Sequence, residues 1–315
     1  MSTVKQVRPP ETFKEKVHRH WMNGNIESNL MLVPAIIFLC VCSIYPFIWI
    51  FRYVLCNYNG FTSTFTGMAN IERMLSDSTF WNSVGVTFEY AAYKLIFIVP
   101  LSLLMAVLLN MKLSGSTLFR AVYFMPTIIA TSISGMIFTF IFATQNGVLN
   151  GILRAIGLQS GPRVNWLLSQ DNVMIPVMVL AIWGGFGNYM LYFINGINGI
   201  SEDVYESSKI DGAGAVRTFF SITLPMLSPV LKVILMLAIT GAFKDYEAIM
   251  VLTQGGPGNR TMVMFLYIYN TIFANSNGAQ AQIGYGALLS VVAAVIVGCV
   301  TVLYNIVSRK LDDVM

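Results

Sequence analysis

Residues 199–229 read Gly-Ile-Ser-Glu-Asp-Val-Tyr-Glu-Ser-Ser-Lys-Ile-Asp-Gly-Ala-Gly-Ala-Val-Arg-Thr-Phe-Phe-Ser-Ile-Thr-Leu-Pro-Met-Leu-Ser-Pro. Upstream, no charge occurs from Asn172 to Ile200, and downstream the chain turns apolar again at Val230. A polar segment is thus slung between two membrane-like ones. Ser201 can cap a helix whose first turn carries Glu202 and Asp203, where the N-terminal dipole favours anions. The helix runs towards Gly212 and Gly214, with Ser207, Ser208, Ala213 and Ala215 around them. So many small side chains let another surface approach the backbone closely. Leu224-Pro225 stops a second short helix, and Pro229 opens the next apolar run. Two readings stand at this point, a solvated loop with two helical turns or a docking element.

Working outward, the 315 residues are 56% hydrophobic and only 11% charged, with a mean hydropathy of +0.66. A soluble domain carries about 25% charged residues, so the composition is that of a membrane protein. Leu30 to Phe51 is 22 residues without a charge, enough to cross a core of about 30 Å at 1.5 Å per residue. Further spans are predicted over 83–110, 121–143, 173–196, 229–252 and 283–307, which puts both termini on one side. The domain reading is a polar N-terminal segment 1–28, a six-helix domain 29–310 containing the loop 199–228, and a tail 311–315. Glu11 to Trp21 could lie along the membrane surface. With the N-terminus inside, eleven basic residues fall on the inner side and five on the outer. Basic residues concentrate inside, so residues 199–228 are expected in the cytoplasm. No signal peptide is visible. Cys40, Cys42, Cys56 and Cys299 lack metal-type spacing, and the three in or beside apolar runs read as buried, inert thiols. His18 and His20 have no third ligand nearby, so no metal site is expected.

The spacing Glu206, Asp211-Gly212-Ala213, Phe219, Ile222, Leu224-Pro225, Pro229 resembles the cytoplasmic signature loop of permease subunits in binding-protein-dependent ABC importers. The family's usual Glu-Ala-Ala opening is Glu206-Ser207-Ser208 here, small for small. Leu118-Phe119-Arg120, Pro126, Gly147 with Asn150, Trp166-Leu167 and Gly255-Gly256-Pro257 with Thr261 extend the resemblance over most of residues 95–290. It is closest to the carbohydrate-uptake branch, the permeases for maltose, oligosaccharides and glycerol phosphate. The resemblance implies an all-α polytopic protein with six transmembrane helices and the type I importer fold. It implies that the loop is a coupling helix seated on an ATPase, through Glu206, Asp211, Gly212 and Ala213. The implied partners are a second, different permease, two ATPase subunits and an extracellular or periplasmic solute-binding protein, in a bacterial cytoplasmic membrane. The expected substrate is a carbohydrate, with no nucleic acid involved.

Phe243-Lys244-Asp245-Tyr246-Glu247 is the least expected stretch on physical grounds. It falls inside the fifth predicted span, where each charge costs roughly 2.5–3.5 kcal/mol. The three charges must therefore face a partner, a cavity or one another. On a continuous helix Lys244 and Glu247 are three apart and can pair, while Asp245 points about 100° away and needs another partner. A structural ion-pair network at a subunit contact and a solute site are both open. Trp183-Gly184-Gly185-Phe186-Gly187-Asn188-Tyr189 forms a second polar patch, read as close helix packing or as ligand contact. In maltose-type permeases sugar contacts come from the middle of these two helices. The matching positions here are Gly185, Asn188, Lys244 and Asp245, with Tyr189 and Glu247 completing the predicted site. Charges stand where the maltose-type protein has amides, which implies a charged or differently hydroxylated ligand.

No lysine follows a glycine anywhere in the chain, so the phosphate-cradling Gly-x-x-x-x-Gly-Lys-Ser/Thr motif is excluded. Neither the Gly-x-Ser-x-Gly elbow nor His-Glu-x-x-His occurs. The expectation is a non-enzyme with no cofactor of its own, ATP being bound by partner subunits. The competing class is an autonomous ion-coupled secondary transporter using Glu89, Asp245 or Glu247. Such folds show internal repeats with paired broken helices, and no repeat is evident here. A non-transporting scaffold would leave the charged fifth span unexplained.

Overall fold

Helix α4 (Ser78–Asn110), the longest element of the computed structural model, is the post around which the other helices gather. The structure describes residues 25–111, 115–159, 161–273 and 280–312. The predicted surface helix at Glu11 to Trp21 and the histidines at 18 and 20 lie outside them. At 1.5 Å per residue α4 is about 50 Å long, more than the hydrocarbon core needs. Its buried residues include Phe80, Ser83, Thr87, Tyr90, Lys94, Ile98, Ser102, Ala106 and Leu109. These recur every three or four positions, so one stripe faces inward. The stripe is unusually polar for a span, and each polar member has a use. The Ser102 hydroxyl donates to the Ile98 and Phe186 carbonyls, and the Thr87 Oγ accepts the Met264 N–H.

The chain enters through α1 (Asn25–Leu39), a π-helical turn at Cys40–Ile44 and α2 (Tyr45–Val54). A short hairpin follows, β1 (Cys56–Tyr58) antiparallel to β2 (Ser63–Phe65), with Cys56 opposite Phe65. The Asn59 carboxamide oxygen accepts the Phe61 and Thr62 N–H groups and shapes its turn. α3 (Ala69–Ser76) leads to Asp77. That carboxylate caps α4 through the Thr79 and Phe80 N–H groups and also accepts the Tyr267 and Tyr285 hydroxyls at 2.7 Å each. Burial works to raise its pKa, but the four hydrogen bonds outweigh it and hold the carboxyl below its ordinary 3.8.

Beyond α4 come α5 (Ser116–Ile128), α6 (Thr131–Ile141), α7 (Val148–Ala155), α8 (Met174–Asn198) and α9 (Glu202–Ile210). A short turn α10 (Ala215–Thr218), a π-helical turn and α11 (Leu224–Met226) lead into α12 (Ser228–Lys244) and α13 (Glu247–Leu252). The chain closes with α14 (Met264–Ile272) and α15 (Ile283–Asp312). α8 lies along α4, and α5 crosses α8. At the crossing Gly187 meets backbone: a Cβ there would sit 2.4 Å from the Tyr123 carbonyl oxygen and 3.0 Å from the Phe124 Cα. Only glycine allows that approach.

Three apolar clusters stack along the post. Phe80, Met264, Tyr285 and Leu289 fill the hairpin end; Tyr90, Phe138, Val177, Phe243 and Leu252 fill the middle. Ile98, Met190, Phe193, Ile197 and Leu227 fill the end next to residues 199–228. By contrast the first span is bare. None of its most apolar window is buried, and its main contact with the later helices is α2 lying on α15. Cys40 and Cys42 on it, like Cys299 on α15, are exposed rather than buried as expected, because these faces meet no other helix among the described residues.

Among the described residues four helices are long and apolar enough to cross a membrane, and two bent pairs raise the number to six. The bends depart from the sequence expectation. The third predicted span, 121–143, is two helices at 96° rather than one. Pro126 removes an N–H from the ladder, and Ile129 and Ala130 are extended. The second bend, 69°, falls at Leu227, between 215–226 and 228–252. Within the fifth predicted span, 229–252, the helix is also interrupted, stopping at Lys244 and restarting at Glu247 with Asp245 and Tyr246 between. α14, with buried Met264, Leu266 and Ile268, has no counterpart in the predicted spans.

Candidate functional site

The two interruptions face each other. Between the Ile129–Ala130 break and the Asp245–Tyr246 break lies a cavity of about 320 Å³. Pro126, Thr127, Thr131 and Ser134 form one wall and Lys244 to Ala248 the opposite one. Tyr90 and Lys94 of α4, with Leu180, Ala181, Gly184 and Gly185 of α8, line the rest. Lys94 is sixteen residues into α4, hence about 24 Å from its start and near its middle. Each break ends a helix whose last carbonyls and next N–H groups lose their intrahelical partners. Irregular backbone at such depth is tolerated where it lines a polar cavity.

Four of the six predicted site residues, Gly185, Lys244, Asp245 and Glu247, meet around this cavity. Lys244 and Glu247 are exposed at its margins. They form no ion pair with each other among the described residues, because the helix that would have aligned them ends at Lys244. Asp245 has its partners elsewhere: its Oδ2 accepts the Tyr90 hydroxyl at 2.7 Å and is paired with the Lys94 ammonium. Asn188 and Tyr189 are half-buried and stand outside the cavity walls. Tyr189 packs on α12, its hydroxyl 3.5 Å from where a Cβ on Gly241 would lie. The glycine patch divides its roles. Gly184 has open space before it, Gly185 abuts only the Ile98 methyl tip, and Gly187 abuts backbone.

Sequence reasoning missed Tyr90, Lys94, Thr127 and Ser134. Lys94 was findable, since a lysine inside a span demands a carboxylate, and few carboxylates lie at that depth. Thr127 carries a buried hydroxyl with no hydrogen-bond partner. Glu89, one residue before Tyr90, is held by two Arg260 nitrogens at 2.6 and 2.7 Å, which ties α4 to the Gly255–Thr261 turn.

At the far end of α4, Ser201 caps α9 by accepting the Asp203 N–H. The helix closes with the Ala213 N–H on the Ser208 carbonyl at 2.9 Å and the Gly212 N–H on the Lys209 carbonyl at 3.1 Å. This double closure places Gly212 at φ +74°, a conformation glycine adopts without strain. Glu206, Asp211 and Gly212 are exposed, and half-buried Ala213 borders a groove of about 350 Å³ with Tyr205 and Phe219. Ile210 is 87% exposed, and Val216 and Phe220 are exposed as well, so apolar and acidic groups share one uncovered surface.

Residues 98–313 match the model of the binding-protein-dependent transport system inner membrane component family. AraP, the arabinooligosaccharides transport system permease protein of Bacillus subtilis, is 31% identical over 90% of this chain and 87% of its own length. MsmF, the multiple sugar-binding transport system permease protein of Streptococcus mutans, is 27% identical over 96% and 99%. The fold is also that of a solved bacterial ABC transporter for import of the acidic polysaccharide alginate. That chain has a TM-score of 0.78 and 22% identity, covering 93% of this chain and 99% of the other. The family consists of transport components and not of enzymes. The chain belongs to the binding-protein-dependent transport system inner membrane component family, and is a multi-pass permease subunit of a bacterial ABC importer with the type I fold.

Proposed function

We propose that this permease forms half of a translocation pathway for a carbohydrate, an oligosaccharide in the first instance, delivered by a solute-binding protein. The observation carrying this reading is the mid-span cavity between two broken helices, walled by hydroxyls, two carboxylates and two ammonium groups. Such groups donate to and accept from sugar hydroxyls. The transport systems of AraP and MsmF, named for arabinooligosaccharides and for multiple sugars, support the solute class. A second permease completes the pathway. Two ATPase subunits bind the nucleotide, and Glu206 to Ala213 dock on one of them. The test is ATP hydrolysis by the reconstituted importer with its binding protein, across a carbohydrate panel. Stimulation by one or more oligosaccharides is expected; stimulation by none, with another solute class active, overturns the reading.

The proposed orientation puts both termini and residues 199–228 in the cytoplasm. In a variant with Cys40, Cys42, Cys56 and Cys299 replaced, Lys209→Cys should label only from the cytoplasmic side. Asn259→Cys should label only from outside. Labelling of both from one side contradicts the topology.

A further inference from the structure

Asp245 uses its two carboxylate oxygens unequally. Oδ2 takes both the Lys94 ammonium and the Tyr90 hydroxyl, while Oδ1 accepts no hydrogen bond among the described residues. The two partners are also buried unequally. The Lys94 side chain is 10% exposed and the Asp245 side chain 35%, so the carboxylate reaches the cavity and the ammonium stands behind it. The Asp245 backbone lies in the helix break, tied to the preceding helix by its N–H on the Ala242 carbonyl at 3.4 Å. Besides Lys94 and Tyr90, the charged and titratable groups around it are Tyr189 of α8 and Lys244, Tyr246 and Glu247 of its own segment. The wall from α5 and α6 offers only hydroxyls, those of Thr127, Thr131 and Ser134. Two cations and two anions therefore border the cavity.

We propose that Lys94 is the positioning residue of the solute pathway: it neutralises Asp245 and turns it so that Oδ1 is presented to a passing solute hydroxyl. This rests on the reading of the cavity as part of that pathway. It changes what the charged stretch means. Asp245 is not a free anion awaiting a cationic ligand but one half of a fixed pair, offering an oriented acceptor on a wall without net charge. Uncompensated by Lys94, the same carboxylate would hold water tightly or seek Lys244, and the acceptor would be lost.

The test compares Lys94→Gln, Asp245→Asn and the double variant in the reconstituted importer with its ATPase subunits and loaded binding protein. Lys94→Gln should cut maximal uptake by at least about tenfold, the effect of leaving one member of a charge pair alone. The concentration of loaded binding protein giving half-maximal uptake should not change, since docking occurs on the outer face. Asp245→Asn should lose uptake similarly. The double variant, an amide opposite an amide, should recover to within a few-fold of the unaltered protein. Near-normal uptake in Lys94→Gln overturns the proposal, as does a double variant no better than its worse parent. A parallel shift of the half-maximal concentration also overturns it, since that is general structural damage. Should Lys94→Gln fail to assemble, Asp245→Asn against the double variant carries the same comparison, and restored assembly without restored uptake counts against the proposal. An unaltered complex importing no carbohydrate would instead remove the reading of the function.

Discussion

Gly187→Ala should destabilise the folded permease most among substitutions in the glycine patch, with Gly185→Ala next and Gly184→Ala almost silent. The new methyl at 187 falls 2.4 Å from the Tyr123 carbonyl oxygen, and backbone cannot swing aside. α5 and α8 must part, at a cost of about 1–3 kcal/mol or more for overpacking. At 185 the obstacle is a single methyl of Ile98 at 2.9 Å, which can rotate, and at 184 nothing lies within 4 Å. Thermal unfolding of the purified complex should therefore fall in the order 187, 185, 184. Gly184→Ala should instead alter uptake, since it narrows the cavity. Equal stability of all three variants would show that the helices do not meet as closely as described.

The second large effect is expected at Gly212. Gly212→Leu should leave the chain inserted and paired with its sister permease while abolishing transport-stimulated ATP hydrolysis. Two causes are separable. A leucine at φ +74° costs about 1–2 kcal/mol of backbone strain and unwinds the closure of α9. Its bulk would also hold an ATPase away, although within this chain a Cβ at 212 meets nothing. Gly212→Asn tolerates the left-handed conformation and isolates the second cause. Loss of stimulation in both variants assigns Gly212 to surface clearance; loss only with leucine assigns it to the turn. Full stimulation with leucine in an assembled complex would mean that this surface does not transmit hydrolysis.

Much of this is legible in the sequence. Continuous uncharged runs located the spans at 30–51 and 173–196, because the bilayer rewards little else. The capping Ser201 and the pair of glycines marked α9 correctly. The bends were not legible in the same way. A proline such as Pro126 weakens a helix without saying whether neighbours will let it continue. Nothing local distinguishes Lys244 and Glu247 on one continuous helix from the same residues on either side of a break. What decides is Lys94, 151 positions away from Asp245, and a contact that remote leaves no trace in hydrophobic periodicity. α14 escaped for a related reason: nine residues are too few to look like a span, and its burial comes from α15 and α4 rather than from its own pattern.

The first span touches its fellows late, in more than one sense. α2 rests on α15, the Tyr285 hydroxyl reaches back to Asp77, and the Arg73 guanidinium lies 3.9 Å over the Tyr285 ring. The first described helices are therefore fastened by the last described one. Until α15 arrives, α2 has beside it the hairpin and the Asn70 carboxamide, which donates to the Val54 carbonyl at 3.0 Å. In the vocabulary of assembly, this seam closes late, because it joins segments from opposite ends of the described residues.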